Sequence, residues 1–135
     1  MRLTTAMLAD AAQVQGGKLF VLGGGFDTIR ARSFPAVHRA ISLAMVAEID
    51  PDERHRDLEI VISLIDEDGH PLGIEAKGKL RVGAPATLPP GSSSIVPIVS
   101  PFANIEFPEP KGYAFVISFE EEELARIRFR VVHVE

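Results

Sequence analysis

Period-two alternation restricts this chain more than any other feature. Between residues 74 and 82, Ile74, Ala76, Gly78, Leu80 and Val82 alternate with Glu75, Lys77, Lys79 and Arg81. A strand with one buried and one wet face produces this pattern, and a helix does not. The same alternation recurs in residues 57–66, where Leu58, Ile60, Ile62 and Leu64 share a parity, and in residues 40–49, where Ile41, Leu43, Met45 and Ile49 do. Tyr113, Phe115, Ile117 and Phe119 repeat it, as do Ile127, Phe129 and Val131 against Arg126, Arg128 and Arg130.

Eleven glycines and ten prolines punctuate these runs. Short apolar runs between turn signals mark an all-β sandwich or barrel. Further strands are expected at residues 3–8, 18–22 and 95–99, with residues 26–32 a candidate short edge strand, for a count of roughly eight. Gly16-Gly17 and Asp68-Gly69 are the clearest hairpin signals. Pro97 assigns residues 95–99 to an edge or a bulge, and residues 102–110 extend that segment. One competing pattern is a turn of helix over residues 120–128, rich in Glu and Leu. The expected fold is a single antiparallel β-sandwich domain over residues 1–135. Its core is expected to hold Leu58, Ile60, Ile62, Leu80, Phe115, Ile117, Phe129 and Val131.

Composition removes several classes of function. The chain has no cysteine, which excludes disulfide frameworks, cysteine nucleophiles and thiolate metal sites. Its net charge of −5 argues against nucleic-acid and anionic-membrane partners. No stretch approaches the roughly 18 apolar residues of a membrane helix. Asp10 interrupts the first apolar run too early for a secretory signal, so a cytoplasmic setting is expected.

No catalytic motif emerges. The triple glycine Gly23-Gly24-Gly25 lacks the spacing of a phosphate loop and is followed by Phe26, so a backbone role is expected, with at least one positive φ. Ser92-Ser93-Ser94 lies in no nucleophile elbow. Asp50, Asp52, Asp57, Asp66 and Asp68, with Glu53 and Glu67, crowd two turns and are the candidate oxygen ligands if calcium binds; the alternative is ordinary solvated turns. His55 and His70 lie near those turns and are the weaker metal candidates. Lys77, Lys79 and Arg81 form one basic stripe, and Arg126, Arg128 and Arg130 another. If their strands are neighbours they make a patch for an acidic partner, unless Glu75 and the acidic run at 120–123 neutralise it.

Ala9-Asp10, Gly17-Lys18-Leu19, Gly23-Gly24-Gly25 with Phe26 after it, the LPPG at residues 88–91 and Gly112-Tyr113 together resemble a family of small uncharacterised bacterial proteins, common in actinobacteria. That resemblance implies a compact β domain and assigns no activity, cofactor or functional residue. Separately, Gly112-Tyr113-Ala114-Phe115 resembles the strand start of immunoglobulin-like sandwiches, where a tyrosine hydroxyl ties back to the backbone near a corner. The functional expectation is a non-catalytic protein-interaction module, self-associating as a homodimer. Its contact is expected at the 95–99 edge, where Val96, Ile98 and Val99 are apolar on both parities. The alternative is a calcium- or small-ligand-binding sandwich that uses the acidic loops.

Overall fold

A computed structural model describes residues 1–83, 89 and 91–135. Among the described residues the chain forms nine strands in two facing sheets: β1 (Arg2–Gln15), β2 (Lys18–Gly24), β3 (Thr28–Ala31), β4 (Ala36–Ile49), β5 (Leu58–Asp66), β6 (Pro71–Leu80), β7 (Ser94–Phe107), β8 (Gly112–Phe119) and β9 (Glu122–His133). The first sheet runs β2-β1-β4-β7 and the second β3-β9-β8-β5-β6. The protein is an all-β sandwich. Every pairing is antiparallel except one: β3 runs parallel to β9, Thr28 opposite Arg130 and Ala31 opposite His133.

Alternating side chains explain why the sheets close on each other. Ile41, Leu43, Met45, Ala47 and Ile49 of β4 are buried, as are Leu58, Ile60, Ile62 and Leu64 of β5. Phe115 and Ile117 of β8 and Phe129 and Val131 of β9 complete the expected inner faces. Leu80 departs from expectation: at the end of edge strand β6 it is only half-buried. Phe107, Tyr113, Phe115 and Phe129 form an aromatic centre. Ring centroids lie 4.9 Å apart for Phe107–Tyr113, and 5.7 Å for both Phe107–Phe129 and Phe115–Phe129. Such pairs add about 0.5–1.5 kcal/mol each beyond area burial.

Tyr113 stands at the corner where the chain passes from β7 in one sheet to β8 in the other. Its hydroxyl donates to the Glu109 carbonyl at 2.6 Å. This is the tie expected of an immunoglobulin-like sandwich.

One expectation is corrected and two open alternatives are resolved. The 120–128 segment is not helical: Phe119 pairs with Glu122 across a two-residue turn. Glu120 and Glu121 occupy left-handed conformations, φ 51° and 66°, as a tight hairpin turn requires. The first strand does not stop at residue 8 but continues to Gln15, because Ala11 to Gln15 find their ladder partners in β2. The two basic stripes are not neighbours, since β8 and β5 separate β9 from β6.

Candidate functional site

The acidic turns are structural first. Asp50, Asp52 and Glu53 bring carboxylate oxygens within 4.8 Å of one another, and Asp66, Asp68 and His70 do the same. In each group the central carboxylate is already engaged. Buried Glu53 accepts the Met1 ammonium on both oxygens at 2.6 Å and the Asp50 amide at 3.0 Å. Burial pushes its carboxyl up, but the ammonium and the amide outweigh this and hold it below its ordinary value. Asp66 accepts the Asp68 and His70 amides at 2.9 Å and the Lys111 ammonium at 3.2 Å. Partial burial acts to raise it; those donors together lower it to about 2. Asp57 belongs to neither group and faces Arg81 at 3.8 Å. The five candidate aspartates are thus distributed over three places.

His55 and His70 also stand apart, at the two ends of β5. The His55 amide donates to the Val82 carbonyl, and His70 lies 3.4 Å from Asp66. Buried Ser94 opens β7 and accepts from the Arg54 guanidinium, which also reaches the Ser92 carbonyl. The basic stripes are partly neutralised on their own strands, Lys77 by Glu75 at 3.6 Å and Arg126 by Glu123 at 2.7 Å. Of the LPPG segment, Leu88 and Pro90 lie outside the described residues.

The triple glycine shapes the backbone. Gly23 and Gly25 have φ of +64° and +82°. The Asp10 carboxylate occupies the space a Gly23 side chain would need, and a Gly24 side chain would meet Val21 at 2.5 Å and Met7 at 3.0 Å. The Gly25 amide donates to the Leu8 carbonyl at 2.9 Å. β2 is thereby folded tightly onto β1, which leaves its other side open.

The open sheet edges are the chemically distinctive part of the molecule. Among the described residues β2 and β7 border the first sheet, and β3 and β6 the second. β7 is the edge that Pro97 foretold. It pairs with β4 through Val46–Pro97 and Ser42–Pro101, so the two prolines turn their missing donors to the free side. β3 is four residues long. β6 carries Glu75, Lys77 and Lys79 and kinks at Gly73, φ +76°. Short length, proline, charge and kinks are the devices that blunt an edge against strand addition.

β2 has no proline and no charge in its interior, and its one left-handed residue, Gly23, lies next to its end. Its seven residues read KLFVLGG, with one charge at Lys18. Phe20, Val21 and Leu22 are exposed, at 50%, 38% and 72%, and Val14 of the adjoining β1 is exposed too. Phe20 lies opposite Gln13 and Leu22 opposite Ala11, so Phe20 and Leu22 share one face. A shallow groove of about 320 Å³ runs along Ala11, Ala12, Gln13, Phe20, Val21 and Leu22. The sequence reading missed this surface. The available signal was large apolar residues on both parities of 18–22, with Phe20, Val21 and Leu22 facing only Gln13, Ala12 and Ala11 in the partner strand.

A second apolar feature, a slot of about 610 Å³, lies between the β6 and β7 edges, with Met45, Ile60, Ile62, Leu80, Val96 and Ile98 among its lining. Ile98 therefore faces inward, and a charge placed there would disturb the core rim. No helix among the described residues is long and apolar enough to cross a membrane.

The model of a family described as a family of unknown function, DUF6941, matches residues 4–132, and the chain belongs to that family. An uncharacterised family is what the sequence resemblance implied. No curated protein matches the chain.

Proposed function

We propose that this DUF6941 member is a non-catalytic protein-interaction module that self-associates, working in a bacterial cytoplasm. One observation carries the reading: β2 is a seven-residue sheet edge without proline, charged only at Lys18, that bears exposed Phe20, Val21 and Leu22. Exposed strand edges pair with other strands, and the side chains beside them supply specificity. The contact is placed here and not at residues 95–99, because Pro97 and Pro101 deprive that edge of ladder donors. The ligand-binding alternative has less support, since Glu53 and Asp66 are already satisfied by internal donors.

Light scattering across a concentration series tests the reading. The chain is expected to gain mass with concentration. Leu22→Lys, at a position 72% exposed and so tolerant of charge, is expected to remain monomeric. A monomer mass at every concentration refutes self-association. A stoichiometric calcium heat in calorimetry, lost in Asp66→Asn, would favour the alternative.

A further inference from the structure

We infer that the partner on the β2 edge is a second copy of this chain, its own β2 paired antiparallel about a two-fold axis through Val21. The inference rests on the self-association reading at the β2 edge and adds the symmetry and the register.

Three features of the strand argue for it. First, β2 is self-complementary. An antiparallel pairing of Lys18–Gly24 with itself, centred on Val21, sets Lys18 opposite Gly24, Leu19 opposite Gly23, Phe20 opposite Leu22 and Val21 opposite its own copy. The strand's one charge then meets a glycine at both ends, so no like charges are opposed. A two-fold axis also keeps each face on its own side, as closed dimers require.

Second, the apolar residues meet in the productive combination. Phe20 and Leu22 share a face in the β1–β2 register, and the pairing sets each directly across from the other, twice per dimer. Aromatic–aliphatic cross-strand pairs stabilise sheets. Leu22, which would face the partner's Phe20, is backed by the short Ala11 beside a groove of about 320 Å³, leaving room for the partner's ring.

Third, the alternatives within the fold are weaker. β7 lacks donors at Pro97 and Pro101, β6 would oppose charged side chains, and β3 offers four residues. Pairing through β2 joins two four-stranded sheets into one of eight strands. A contact between two strand edges belongs at the low end of the size range of specific interfaces, on the order of 1,000 Å² in total, so a weak, concentration-dependent association is expected.

The absence of cysteine makes the test clean. Directly opposed residues of an antiparallel pair have Cα atoms about 4.5–5.5 Å apart, within the span a disulfide bridges. Val21→Cys is expected to oxidise to a covalent dimer on the order of 100-fold faster than Ile95→Cys, because the dimer raises the local thiol concentration. Ile95 is a fair control, since it is 62% exposed on the other edge of the same sheet. A mixture of Phe20→Cys and Leu22→Cys is expected to cross-link faster than either variant alone. Should the chain dimerise while Val21→Cys links no faster than Ile95→Cys, or Phe20→Cys link to itself faster than to Leu22→Cys, the register is refuted and self-association stands. A chain that stays monomeric refutes both.

Discussion

Tyr113→Phe removes one oxygen atom from the corner between the two sheets, and the consequence follows from its surroundings. Tyr113 is 2% exposed, and its hydroxyl donates to the Glu109 carbonyl at 2.6 Å. Phenylalanine keeps the ring against Phe107 at 4.9 Å and Phe129 at 6.0 Å and deletes that bond together with the longer one the hydroxyl accepts from the Glu109 amide at 3.4 Å. A partly buried carbonyl then loses its donor, which costs about 1.5 kcal/mol. For a chain of 135 residues the unfolding entropy near the midpoint is about 0.28 kcal/mol/K, so the midpoint falls by about 5 °C. Tyr113→Ala removes the ring as well and costs about 3–5 kcal/mol more, because the aromatic centre is left with a cavity. Circular dichroism melts at one fixed protein concentration measure both, the concentration being held because self-association would otherwise shift the midpoint. A Tyr113→Phe melt that superimposes on that of the parent would refute the corner as a stabilising tie. Equal losses in the two variants would refute the division between hydrogen bond and packing.

Phe115→Ala, at the centre of the core, is expected to cost about 3–5 kcal/mol in a urea titration; Ile60→Ala, which borders the slot between β6 and β7, is expected at the lower end of about 2–5 kcal/mol. Gly23→Ala is expected to destabilise by about 1–3 kcal/mol, since alanine there is both left-handed and in the path of Asp10. Gly78→Ala, with open space around it, is expected to stay within about 0.5 kcal/mol, so equal effects would contradict the backbone role of the triple glycine. Asp66 has a carboxyl held near pH 2 against 3.8 ordinarily, so the unfolded chain takes up the proton first as the medium is acidified. Its stabilising contribution is therefore complete above about pH 4 and fades between 4 and 2; Asp66→Asn should lack that decline, and urea midpoints that fall in parallel for both proteins would refute it.

The strands that face the core were legible because burial on one side imposes alternation. β4, β5, β8 and β9 each keep apolar residues on one parity, and these are the residues found inside. The distal half of β1 was not legible, because Ala11, Ala12, Gln13 and Gln15 hold their strand by ladder bonds to β2 and not by packing, and such residues carry no periodic signal. The parallel pairing of β3 with β9 joins distant segments, which local pattern cannot reveal. At the acidic turns the residue types were visible in the sequence, but their engagement was not. The Asp66 bonds to its own turn amides follow from local geometry, whereas the Met1 ammonium at Glu53 and the Lys111 ammonium at Asp66 come from other parts of the chain. The β2 surface escaped because a strand exposed on its apolar side looks, in sequence, like one that is covered.

The parallel β3–β9 ladder has a kinetic consequence. Bringing Thr28 directly to Arg130 closes a loop of roughly a hundred residues, an entropic cost of about 4 kcal/mol if nothing else has formed. The hairpins β1–β2, β5–β6 and β8–β9 need no such closure, since each joins strands that follow one another in the chain. Assembly is therefore expected to begin with these local units and to set β3 against β9 late, after the larger sheet has already been built. Ile29, the buried side chain of β3, would then be absent from the rate-limiting ensemble, and trimming it to valine should hasten unfolding while leaving the refolding rate nearly untouched.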